Sequence, residues 1–145
     1  NSFDFIPEQI LGIDYGQKRI GLALAPVTLK LATPHQVIIN RGEKSVISKI
    51  KEICLQEKVT KIIIGFPYSL AGRQKQKTVK ASWPDQVKIF SQKLASQTNI
   101  PVITEDERLS TKVVQALKKN LKIKEKNPQD AACAAVILQS YLDRN

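Results

Sequence analysis

Acids are scarce in this chain: its 145 residues carry 13 Asp and Glu against 23 Lys and Arg, a formal net charge of +10. Histidine is scarcer still. His35 stands alone beside Pro34 with no Cys or His neighbour, which argues against a zinc site. The only cysteines, Cys54 and Cys133, fall within helical apolar patterns. They read as buried, reduced thiols of a cytoplasmic protein, although the sequence leaves a bond between them open. Long apolar runs are missing as well. The longest, Ala131–Leu138, is far too short to span a bilayer. The opening NSFDFIPEQ has neither the basic start nor the apolar segment of a secretory leader. No internal repeat, Gly/Ser linker or low-complexity tract interrupts the sequence. What is present is 42% apolar residues, enough for a real core, and a pI near 9.7. These features predict one soluble globular domain over residues 1–145, with no membrane association and a leaning toward phosphate-bearing partners.

The hydrophobic pattern predicts a mixed α/β order. Gln9–Asp14 and Ile20–Ala25 read as strands joined by the turn residues Gly16, Gln17 and Lys18, close enough to form an antiparallel hairpin. His35–Ile39 is a third strand, reached by a loop containing Pro34. Val46, Ile47, Ile50, Ile53 and Cys54 repeat at helical spacing, so Glu43–Gln56 reads as an amphipathic helix. Lys61–Gly65 is β-branched and wholly apolar after its lysine, as in a central strand covered on both faces. A long basic loop, Phe66–Ser82, leads to a helix at about Pro84–Ser96 that places Val87, Phe90 and Leu94 on one face. Val102–Thr104 is the last strand. Ser110 can cap a short helix to Lys119, and Asn127–Pro128 starts a final helix that ends near Asp143. Strand alternation puts Ile10, Gly12 and Asp14 on one face, where Gly21, Ala23 and Ala25 leave room for a helix or a ligand.

The few acids recur at structural breakpoints. Asp14 ends the first strand, Glu105, Asp106 and Glu107 end the last, and Asp130 opens the final helix. Each has an ordinary reading: a turn former, a solvated strand end and a helix start. Two features favour a site. Carboxyl edges of parallel strands are where α/β sheets place ligands. The register also points Asp130 inward above Ala134, Ile137 and Tyr141, where an acid needs a partner or a cation. Around them, Lys18 and Arg19 in the turn, Arg73, Lys75, Lys77 and Lys80 in the basic loop, and Arg108 beside the acids are candidate nucleic-acid contacts. Trp83 before Pro84 reads as an anchor packed on the core rather than a base-stacking ring. Carboxylates within a basic surface suit a metal-dependent enzyme acting on nucleic acid.

Four ordered segments, LGIDYGQKRIGLALAP (Leu11–Pro26), IIIGFP (Ile62–Pro67), DERLST (Asp106–Thr111) and DAACAAVILQSYLD (Asp130–Asp143), resemble the YqgF/RuvX family of bacterial ribonuclease H-like nucleases. That family is described both as candidate Holliday junction resolvases and as ribosomal RNA processing nucleases. The resemblance implies a ribonuclease H-like fold, a mixed five-stranded sheet with helices on both faces. It implies that Asp14, Glu107 and Asp130 are catalytic and hold Mg2+ or Mn2+, with Asp106 and Thr111 in accessory roles. It further implies hydrolysis of phosphodiester bonds in the small-subunit ribosomal RNA precursor or in branched DNA, by a cytoplasmic monomer or weak homodimer with the ribosome among its candidate partners. One departure is visible: where the family carries Asn and acids, this chain has Tyr68-Ser69-Leu70-Ala71-Gly72 and then a basic run. Two rivals remain. The first hairpin also looks like the phosphate-binding hairpin of actin and Hsp70 ATPases, but that architecture needs two lobes. A noncatalytic RNA-binding assembly protein is the other.

Overall fold

The computed structural model describes residues 6–67, 81–106 and 128–145, the side chains of residues 128 and 129 excepted. Strands β1 (Gln9–Tyr15), β2 (Arg19–Pro26) and β3 (Thr33–Ile39) form an antiparallel meander. Helix α1 (Glu43–Gln56) then crosses to β4 (Val59–Phe66), which pairs parallel with β1 on the side away from β2. Helix α2 (Trp83–Thr98) leads to β5 (Val102–Asp106), parallel to β4, and α3 (Pro128–Arg144) closes the chain. The sheet order is β3-β2-β1-β4-β5. The carboxyl ends of β1, β4 and β5 therefore share one edge, and the residues just after them converge there.

Period-two alternation divides the core in two. Leu11, Ile13, Ile20, Leu22, Ile62 and Ile64 turn to α1 and α2, where Ile50, Phe90 and Leu94 are fully buried. Ile10, Ala23, Ala25 and Ile63 turn to α3 and meet Ala134, Ile137 and Leu138. Each fully buried Leu, Ile or Phe contributes roughly 1.5–3 kcal/mol. The α3 layer is built differently, from small residues and close approach. A Cβ on Gly12 would lie 2.7 Å from Leu138 Cβ and 2.9 Å from the Ala134 carbonyl oxygen, so the helix rests on bare strand backbone. Helices thus cover both faces of a mixed five-stranded sheet, as the sequence predicts.

Two expectations need correction. Pro34 lies inside β3 rather than in a preceding loop. It is tolerated because β3 is an edge strand, where alternate N–H groups point away from the sheet and need no ladder partner. The pairing register passes from Leu22↔Gln36 to Ala23↔Pro34, skipping His35. Cys133 is half-buried rather than buried, whereas Cys54 is buried as expected, and both are thiols. No helix among the described residues is long and apolar enough to cross a membrane.

Candidate active site

Asp14 is the penultimate residue of β1, half-buried and on the α3 face with Gly12. Its direct partner across the antiparallel pair is Gly21. Above Gly21 sits the first turn of α3. A Cβ on Gly21 would fall 1.8 Å from the Asp130 carbonyl oxygen and 2.9 Å from the Ala131 nitrogen, so only glycine admits the helix here. The fold therefore sets the start of α3 beside Asp14. Asp14 and Asp130 line one open concavity of about 470 Å³ together with Lys18, Arg19 and Trp83.

The inward-facing Asp130 has the partner its position requires. Arg19 Nε donates to Asp130 Oδ2 at 2.9 Å, across 111 positions of sequence. Arg19 is thereby oriented at the pocket rim, and one carboxylate oxygen of Asp130 is engaged by it. Lys18, next to it, is exposed. The turn carrying both is pinned by Asn40, a residue that no sequence pattern singles out. Asn40 Nδ2 donates to the Gly16 carbonyl at 2.8 Å, and Asn40 N donates to the Lys18 carbonyl at 2.9 Å. The Asn40 side chain also faces the Tyr15 hydroxyl and acts to lower its pKa. Burial nevertheless pushes the Tyr15 pKa up, with Glu43 adding to the rise and Lys93 opposing it, so Tyr15 is a neutral phenol rather than a base.

Among the other acids, Asp106 ends β5 half-buried, and its N–H donates to Glu105 Oε1 at 3.1 Å. The ordinary reading of Glu105 as a solvated strand end does not hold, for it is 3% exposed. It pairs with Gly65 on β4, the strand between it and β1, and faces α3 like Asp14. Arg144, at the other end of α3, donates to both its oxygens at 2.5 and 2.7 Å. Glu105 is therefore a buried anchor for the end of the helix whose beginning carries Asp130. No sequence signal links the two, because the pair spans 39 positions and depends on the tilt of α3.

The structure thus brings together Asp14, Asp130, Lys18 and Arg19. Glu107, Arg108, Thr111, the basic residues Arg73, Lys75, Lys77 and Lys80, and the helix expected from Ser110 to Lys119 lie outside the described residues. Among the described residues no group of three potential metal ligands occurs. The two aspartates supply hard oxygen donors, which suit Mg2+ or Mn2+ better than a soft metal.

Known proteins share this arrangement of strands and helices. The family model of RuvX, described as Holliday junction resolvase, matches residues 8–144. The chain is 35% identical over 137 residues to a candidate pre-16S rRNA nuclease of Rickettsia africae (strain ESF-5), covering 92% of this chain and 85% of that protein. It is 36% identical over 142 residues to a protein of the same description from Orientia tsutsugamushi (strain Ikeda), covering 96% and 86%. In structure it resembles T. thermophilus RuvC solved with a Holliday junction substrate, with a TM-score of 0.59, 14% identity and 94% of both chains covered. Fowlpox virus resolvase with junction DNA matches at a TM-score of 0.58 and 13% identity, over 94% and 97% of the two chains. At such identities the structural likeness speaks to the fold alone.

Proposed function

This chain belongs to the RuvX Holliday junction resolvase family, has the ribonuclease H-like fold and is a nuclease, and we propose that it cleaves precursor small-subunit ribosomal RNA with Asp14, Asp130 and Glu107 as its catalytic acids. One observation carries the site assignment: strand end and helix start deliver Asp14 and Asp130 to the same concavity, rimmed by Lys18 and Arg19. The substrate reading is supported by the descriptions of relatives 33–36% identical over more than 90% of the chain.

In this reading Asp14, Asp130 and Glu107 would hold Mg2+ or Mn2+, which when bound supplies Lewis acidity toward phosphate oxygens and makes water more acidic. The chain's own residues do the rest. Lys18 and Arg19 attract the phosphate backbone, Arg19 with its fork fixed by Asp130. Arg108 and the basic residues Arg73, Lys75, Lys77 and Lys80 extend the track. Gly21 keeps Asp130 next to Asp14, and Asn40 keeps the Gly16–Lys18 turn in place beside them. Asp106 and Thr111 support the acids. In this reading the nuclease domain acts in the cytoplasm.

A second reading, resolution of four-way DNA junctions, is favoured by the description of the family model itself. The two are separated by incubating the protein, with Mg2+ and then Mn2+, with a precursor 16S fragment and with a synthetic four-way junction. Cleavage of the RNA with the junction left intact is the expected result. Junction cleavage alone would replace the RNA reading with the DNA one.

A further inference from the structure

Three aromatic rings are stacked on the α2 side of the sheet, bordering the concavity that Asp14 and Asp130 line. Tyr15 lies 4.0 Å, centroid to centroid, from Phe90 at an interplanar angle of 15° and 5.5 Å from Trp83 at 5°. Phe90 and Trp83 are seven residues apart on α2, about two turns or ~10.5 Å along the helix. Those separations place Tyr15 between them. The stack therefore runs from the fully buried Phe90 through Tyr15 to Trp83, which is half-buried and lines the same concavity as Asp14 and Asp130. The Ser82 hydroxyl accepts from Asp85 N at 3.2 Å and Pro84 occupies the first turn, so the helix end carrying Trp83 is held in place.

All three rings belong to or pack on the core, and the Trp83 indole also forms part of the wall of a pocket flanked by cations. We propose that Trp83 is a stacking platform for one nucleobase of the substrate, extending the Phe90–Tyr15 stack and fixing which phosphodiester reaches the acids. The reading rests on the nuclease function proposed above and deepens it. Trp83 packs on the core as the sequence predicts, and base stacking would add a second role to that anchor. Base–aromatic stacking is sequence-tolerant and needs a preorganised ring face, and the backing rings supply that rigidity. Tyr15, the ring behind Trp83, adjoins Asp14 in β1, so the backing of the platform and one of the acids share one rigid strand.

Trp83 is the only tryptophan, so tryptophan fluorescence, excited selectively over the tyrosines, reports on it alone. The test titrates the protein, in EDTA to prevent cleavage, with a single-stranded oligoribonucleotide and with versions made abasic at each position in turn. Expected results are quenching on binding and one abasic position that weakens binding about 5- to 150-fold, the usual range for a lost base stack. Trp83→Phe should retain most of the affinity. Trp83→Leu should lose it and become indifferent to the abasic position. A flat abasic profile with the wild-type protein overturns the proposal even if the leucine variant misfolds, and so does a folded Trp83→Leu variant that binds like wild type. Absence of cleavage in a parallel Mg2+ assay would count against the nuclease reading of the site, while these binding measurements would still decide the platform.

Discussion

The Asp130 carbonyl oxygen sits 1.8 Å from where a side chain on Gly21 would begin, and Gly21 is the residue directly opposite Asp14. A missing Cβ on one strand thus lets two acids 116 positions apart line one concavity. Gly21→Ala must push the start of α3 outward. It should destabilise the protein by about 1–3 kcal/mol, as overpacking does, and reduce cleavage by more than the stability loss explains. Urea denaturation and a cleavage assay on the same preparation check both. A variant with wild-type stability and rate would show that the close approach is unimportant.

Glu105 and Arg144 should behave as an unequal pair. Glu105 is 3% exposed, while the Arg144 side chain is 63% exposed. Arg144→Ala therefore leaves a carboxylate that water reaches poorly. Its cost should exceed the roughly 0.2–1 kcal/mol of a surface pair and fall below the ~3–5 kcal/mol of a fully buried one. Adding Glu105→Gln should recover part of that loss. A double-mutant cycle by chemical denaturation measures it, and strict additivity would mean the two do not interact.

The thiols should separate by reactivity. Burial pushes Cys54 up to about 11 from an ordinary 9.0. A thiol reagent at neutral pH should modify half-buried Cys133 first and Cys54 only at the rate of unfolding. The folded protein holds the Cys54 proton more tightly than the unfolded chain does. That contribution to stability is complete below about pH 9 and is lost as pH rises through about 11. Melts of wild type and Cys54→Ala across this range should converge as pH rises; a constant difference would contradict the assignment.

The basic loop can be tested by salt. If Arg73, Lys75, Lys77 and Lys80 contact phosphates, their replacement by Ala should weaken nucleic-acid binding. The log–log salt slope should also flatten, by about 0.7 per contact on a single strand or 0.9 on duplex DNA. Filter binding over a salt series would reveal it. An unchanged slope would make the loop ordinary surface.

Much of this architecture is legible in the amino-acid sequence alone. Helix α1 begins and ends at Glu43 and Gln56 as its periodicity predicts, because one apolar stripe fixes both its phase and its length. The small-residue face of β1 and β2 announces close approach by a helix. The inward register of Asp130 announces a partner without naming it. Arg19 is not nameable from sequence, because 111 positions separate the two and only the sheet brings them together. Glu105 is hidden for a related reason: in sequence it is one of three consecutive acids, and only the glycine beside it on β4 and the end of α3 above it turn it into a buried anchor. Trp83 reads as an anchor because the pattern shows where a ring packs but not which pocket it borders.

The central claim is that Asp14 and Asp130, with Glu107, form one metal-dependent catalytic site. The most direct measurement is cleavage with Mg2+ by Asp14→Asn, Asp130→Asn and Glu107→Gln, each paired with thermal melts in EDTA and in saturating Mg2+. Wild type should gain about 2.7 kcal/mol at a hundred times Kd, a shift of roughly 5–10 °C for a domain of this size. Each variant should remain folded, lose most of that gain and lose more activity than the roughly 10–100-fold typical of residues that only support metal ligands. Asp130→Asn should in addition lose about 0.2–1 kcal/mol in EDTA, from its broken pair with Arg19. Variants that cleave at the wild-type rate and show the full Mg2+ shift would contradict the account.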